Sequence, residues 1–141
     1  MIIARLVRTN LTDSGSITNG PVTVADAPLA VVETPAFSAM EGVLSSNQAL
    51  LVFSDANPLS TNQLTATVNW DGANFTNSYT LEKSGVIPGT GAVFIVKGSV
   101  EYYEEGTNNV IITVTDIGGE VLGPITNTVI VVDASSAVVS T

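Results

Sequence analysis

Apolar and polar residues alternate along much of this chain with the period of two that belongs to a half-buried strand, and seldom at the spacing of a helix face. The clearest run is Asn109–Thr115, where Val110, Ile112 and Val114 share one face and Thr113 and Thr115 the other, with Ile111 an apolar exception on the outer side. Gln63–Trp70 repeats the pattern, with Leu64, Ala66, Val68 and Trp70 predicted inward and Thr65, Thr67 and Asn69 outward. Thr126–Val132 is nearly all apolar in its second half, which predicts a strand covered on both faces. Weaker strands are predicted at Ala49–Phe53, Ser78–Glu82 and Ala92–Lys97. Turns are predicted at Ser54–Asn62, Asp71–Asn74, Ser84–Gly91 and Asp116–Gly119, where Asp, Asn, Gly and Pro supply the backbone geometry. Val, Ile and Thr dominate the periodic stretches, and these β-branched residues suit a pleated surface. Many short strands separated by closely spaced turns predict an all-β sandwich.

Composition narrows what such a fold does. A length of 141 residues suits one domain with an arm, and is enough to bury a core without disulfides or metals. Only 12% of residues are charged, so the polar surface falls to Thr, Ser and Asn. The net charge is −9 and there are four basic residues, too few to neutralise phosphates, so nucleic acid and anionic membrane surfaces are excluded as partners. With no Cys and no His, thiolate nucleophiles, Cys/His zinc sites and His-dependent triads are excluded as well. No apolar run approaches the ~20 residues of a spanning helix. The opening MIIARLVRTNLTD, broken by Arg5 and Arg8, does not read as a secretion signal.

Charge also divides the chain. Residues 1–25 hold Arg5, Arg8 and Asp13, or +1, whereas the rest holds two Lys against twelve acids, or −10. The division predicts an N-terminal arm or linker over residues 1–29, a sandwich over 30–134 and a tail over 135–141. Residues 1 to about 32 read as an arm or an extra strand and not as a separate domain, with Ile2–Thr9 a candidate strand. Ile2, Ile3, Arg5, Leu6 and Arg8 are the candidate attachment residues, with strand addition to a neighbour as their mode.

From Thr23 to Ala134, roughly four-fifths of the chain, the sequence resembles the Ig-like repeats, related to PKD domains, of bacterial and phage surface proteins. The pieces stand in the repeat's order: Val24–Leu29 (VADAPL), Glu41-Gly42, Phe53–Pro58 (FSDANP), Thr65–Gly72 (TATVNWDG), Phe94–Asp116 (FIVKGSVEYYEEGTNNVIITVTD) and Thr128–Asp133 (TVIVVD). The "WGDG" of the pattern is one Gly shorter here. Val100 stands where the pattern has His, and Asn108 replaces its second Tyr. The resemblance implies an immunoglobulin-like Greek-key sandwich with an N-terminal extended arm and no catalytic role.

Three residues stand out as structural anchors. Trp70 ends an inward-facing strand and is expected to pack on the opposite sheet. Tyr102 precedes the Glu104-Glu105-Gly106 turn like a tyrosine corner, whose hydroxyl bonds backbone, while Tyr103 is expected to face out. Gly106 closes that turn.

Acidic residues offer two chemical readings. Glu101, Glu104 and Glu105, taken with Asp116, present the paired carboxylates that glycoside hydrolysis needs, but the aromatics of a sugar site are few and a solvated turn is the expectation. Asp55, Asn57, Asp71 and Asp116 are oxygen donors of the kind that bind calcium, yet lack the spacing of known calcium loops and read as turn-formers. Neither catalytic residues, cofactor nor metal is therefore assigned.

The function expected is structural: a bacteriophage virion accessory protein, capsid decoration or tail-associated, on the virion surface. Its partners would be other virion proteins or copies of itself, with a host-surface glycan or protein as a further possibility. The alternative is an Ig-like spacer or adhesion domain of a bacterial cell-surface or extracellular matrix protein.

Overall fold

The computed structural model describes residues 24–61, 63–71 and 74–134, and none of them is helical. Eight strands follow in order: β1 (Leu29–Glu33), β2 (Phe37–Met40), β3 (Ser45–Asp55), β4 (Leu64–Trp70), β5 (Asn74–Ile87), β6 (Gly91–Tyr102), β7 (Gly106–Asp116) and β8 (Val121–Val132). They form two four-stranded sheets, ordered β1-β3-β6-β5 and β2-β8-β7-β4, that face each other as a β-sandwich.

Alternation places the core as the sequence predicts. Val110, Ile112 and Val114 of β7 are fully buried, while Ile111, Thr113 and Thr115 are only partly so. On β4, Leu64 is buried, and Ala66, Val68 and Trp70 pack against the core while Thr65, Thr67 and Asn69 are exposed. From the other sheet come Leu50, Leu51 and Phe53 of β3 and Ala92, Phe94, Val96, Val100 and Tyr102 of β6. Leu50 and Leu51 are buried side by side because the β3–β6 register slips between Ala49 and Leu51, a bulge that lets adjacent residues both turn inward. Phe53 and Phe94 are register partners whose rings stack with centroids 5.5 Å apart.

Three expectations are corrected. Leu29, placed by sequence at the end of the arm, opens strand β1, antiparallel to β3, and is buried. Ser84–Gly91 is not a loop: β5 runs on to Ile87 and pairs with Gly91, leaving a hairpin turn of Pro88, Gly89 and Thr90. The cross-strand ladder outweighs the turn-forming composition there. Finally, β8 is covered on one face only among the described residues. Val129 and Val131 are buried, but Ile130 is 55% and Val132 46% exposed. Both of its edges are taken, by β7 and by a parallel β2, so its apolar outer residues reflect a central position in the sheet rather than double coverage.

The chain changes sheets between β1 and β2 at Thr34–Ala36, where Pro35 has no N–H to give a ladder. Asn127, an inward polar residue of β8, secures this crossing. Its Nδ2 donates to the carbonyls of Pro35 in the crossover and of buried Leu50 in β3, each at 2.7 Å.

The ends of the sandwich have different roles. The chain enters beside Asp55 and Asp116, the partners of Leu29 and Leu64. It leaves β8 beside Gly106 and Met40, at the far end of β7.

Candidate functional site

The three anchors proposed from sequence all lie toward the exit pole. Trp70 reaches across from β4 to β6. A Cβ built on Gly98 would come within 2.7 Å of its Cζ2 and Cη2 and within 2.8 Å of Leu50 Cδ1. Gly98 is the inward position between Val96 and Val100, so its missing side chain is the slot that receives the indole. The indole Nε1 is buried and has no partner among the described residues.

Tyr102 is a core residue, 1% exposed, and Tyr103 next to it is 46% exposed, in keeping with their alternation. The hydroxyl of Tyr102 has no partner among the described residues, so the hydroxyl-to-backbone bond of a tyrosine corner is not formed there. Its main chain makes the tie instead: Gly42 N–H donates to the Tyr102 carbonyl at 2.8 Å. Burial pushes the phenol up to about 12, and the carboxylate of Asp71 adds to the shift. Gly106 has φ +142°, a conformation L side chains rarely adopt, at the point where β7 begins. Ile2, Ile3, Arg5, Leu6 and Arg8 lie outside the described residues.

The acidic residues sort differently from their order along the chain. Glu105 and Asp116 sit at opposite ends of β7, so these residues, near one another in sequence, do not form the paired-carboxylate site weighed against a solvated turn. At the exit pole Glu105 meets Glu41 and Asp133 instead, with one carboxylate oxygen of each within 4.8 Å of the others. Glu41 organises this trio: Oε2 accepts from Glu105 N–H and Oε1 from Ala134 N–H, each at 3.2 Å. Its carboxyl is held above the ordinary value, first by a hydrogen bond shared with Asp133 and further by the charges of Asp133 and Glu105, although the Ala134 N–H pulls it down.

No family model matches the chain, and no curated protein matches it.

At the entry pole a second acidic group forms. Alternation along β3 runs Leu51, Phe53, Asp55, and along β7 it runs Val110, Ile112, Val114, Asp116. In each strand the last inward residue of an apolar series is thus an aspartate, and the two strands belong to facing sheets. Asp55 is 1% and Asp116 6% exposed. The segment before β1 crosses this end, and there Asp26 Oδ2 accepts from Glu120 N–H at 3.1 Å. The Asp26 carboxylate lies so close to Gly118 that an added Cβ would meet it at 2.5 Å. Asp26, Asp55, Asn57 and Asp116 line one hollow of about 380 Å³. Of the four oxygen donors singled out from sequence, Asp55, Asn57 and Asp116 are therefore brought together, and Asp71 lies at the other end, beside Asn109. Asp26 was missed. The signal for it was its place in the VADAPL segment, which reads as linker until the fold returns it to the body.

Proposed function

We propose that the chain is an immunoglobulin-like Greek-key module that presents surface and carries out no chemistry. It is displayed on the outside of a bacteriophage particle, as capsid decoration or a tail accessory, and attached through residues 1–29. The observation that carries the immunoglobulin-like reading is the strand order. The order β1-β3-β6-β5 against β4-β7-β8, with β2 in parallel beyond β8, supports it, being compatible with the ABED and CFG sheets of that fold. The resemblance of Thr23–Ala134 to surface-protein repeats and the Thr- and Asn-rich outer positions of β4 support a display role. Because immunoglobulin-like folds host many functions, the particle assignment stands on that resemblance and on the basic arm ahead of an acidic body.

The path of the chain favours one other reading. It enters at one pole and leaves at the other, as suits a spacer strung along a bacterial surface protein. Mass spectrometry of purified particles and of the cell envelope separates the two. Stoichiometric presence with a major capsid or tail protein is expected, and confinement to the envelope overturns the virion reading. Within particles, reversing charge at Arg5 and Arg8 in the full chain is expected to abolish attachment without changing the melting temperature.

A further inference from the structure

An open sheet leaves two edges whose backbone N–H and C=O groups lack a ladder partner, and native proteins keep such edges short, kinked or charged. Three of the four edges here are managed in that way. β1 has five residues, a register shift between Val31 and Glu33, and an acid at its end. β2 has four residues and runs into Glu41, beside Glu105 and Asp133. β4 has seven residues and lies between Asp116, the partner of Leu64, and Asp71. The fourth edge, β5, is different. With 14 residues it is the longest strand, and among the described residues it pairs with β6 alone. From Thr76 to Lys83 each residue takes the next partner in β6, from Glu101 to Phe94, with no bulge and no proline between. The lysine that could guard this edge is held on its own body, where Lys83 donates to the Pro58 carbonyl at 3.3 Å.

Charge decides what fits there. After residue 25 the chain holds two lysines and twelve acids, and both lysines lie at this edge. Lys83 on β5 and Lys97 on β6 offset Glu82 and Glu101, so this strand pair is neutral, while every other acid after residue 25 lies off it. A second copy of a chain with net charge −9 is therefore repelled least at β5, whereas a basic partner would favour the acidic poles. We propose that β5 is a self-association edge, pairing antiparallel with β5 of a second copy about a two-fold axis at Thr80 and joining two sheets into one. In that register Tyr79 faces Leu81 of the second copy, Ser78 faces Glu82 and Asn77 faces Lys83, so no like charges stand opposite. Tyr79 is 41% exposed and Leu81 is partly buried against the core, and the pair closes this open rim on both copies. An axis at Glu82 or at Lys83 would set like charges opposite. One at Tyr79 would put Leu81 against Asn77, and one at Leu81 would draw Lys83 off the Pro58 carbonyl to face Tyr79. The pairing does not depend on where the chain is displayed.

The test is sedimentation of the full chain from about 1 µM to about 1 mM, where a small interface of this kind associates. A monomer–dimer equilibrium with its midpoint in that range is expected. The chain has no cysteine, so Thr80→Cys supplies its only thiol. Opposed residues of antiparallel strands have Cα atoms about 4.5–5.5 Å apart, within disulfide reach, so mild oxidation should convert this variant to a covalent dimer. Thr80→Glu sets two carboxylates opposite each other at the axis and should weaken association about fivefold or more. Within one copy that residue is exposed and stands opposite Lys97, so circular dichroism should show the fold unchanged. Thr67, exposed on the β4 edge, is the control: Thr67→Cys should stay monomeric on oxidation, and Thr67→Glu should leave association as it was. The proposal is overturned if the chain stays monomeric throughout, as it would with residues 1–23 of the same chain on this edge. It is equally overturned if Thr67→Glu weakens association as much as Thr80→Glu. Should Thr80→Glu fail to fold, crosslinking decides, and equal crosslinking through Thr67→Cys and Thr80→Cys overturns the proposal.

Discussion

Gly98→Ala probes whether the core is locked by the fit of Trp70 into β6. Gly98 has no positive φ, so glycine is required there for space and not for backbone conformation. The added methyl would lie 2.7 Å from two indole carbons across the core and 2.8 Å from Leu50 Cδ1 on the neighbouring strand β3, where an ordinary contact is near 3.5–4 Å. Overpacking of this kind costs about 1–3 kcal/mol. Loss of glycine's freedom in the unfolded chain offsets about 0.4–1 kcal/mol of that. A net loss of about 1–2 kcal/mol follows, or about 4–8 °C in melting temperature for a chain of this size. Far-UV circular dichroism in urea and on heating measures it. The same substitution in a Trp70→Phe background separates the fit from a generic glycine effect. Phe lacks the indole carbons that the methyl meets, and the flexible end of Leu50 is free to turn aside. The cost of Gly98→Ala should then fall by about 1 kcal/mol, a coupling of the size expected for residues in contact. An equal cost in both backgrounds, or no cost in either, would refute the slot.

Tyr102→Phe should be neutral or stabilising by up to about 1 kcal/mol, since it deletes a buried hydroxyl with no partner among the described residues; a loss above about 1 kcal/mol in urea unfolding would show that the hydroxyl is bonded after all. The exit trio sets a pH dependence. Glu41 is raised when folded, so the proton it holds favours the native state below the ordinary carboxylate value of 4.5, and this contribution is lost as pH rises through the raised value. Asp133→Asn removes the largest cause of the shift, so the melting temperature of the variant relative to the parent should climb between pH 4 and pH 7; a constant difference across that window would contradict the assignment.

Much of the fold was legible because strand alternation is a local property. The inward faces of Asn109–Thr115 and Gln63–Trp70 follow from a period of two and need no knowledge of what lies opposite. The outward turn of Tyr103 beside a buried Tyr102 follows from the same rule. The limits of β5 did not, because Ser84–Gly91 has a turn's composition and is held as strand by pairing with β6. Nor did the exposure of Ile130 and Val132. An apolar run looks alike whether it is buried on two faces or lies mid-sheet with one face open.

The sequence by itself determined that this is an all-β chain with an acidic body, and which side of each strong strand turns inward. The tertiary structure alone decided which carboxylates meet. Asp116 is eleven residues from Glu105 yet at the other pole, because an extended strand carries each residue about 3.3 Å further from its start. Asp26, Asp55 and Asp116 are far apart in the chain and share one hollow, because two facing sheets end there and the entering segment crosses their edge. Local periodicity governs faces, but only the pairing of distant strands brings charges together at an end.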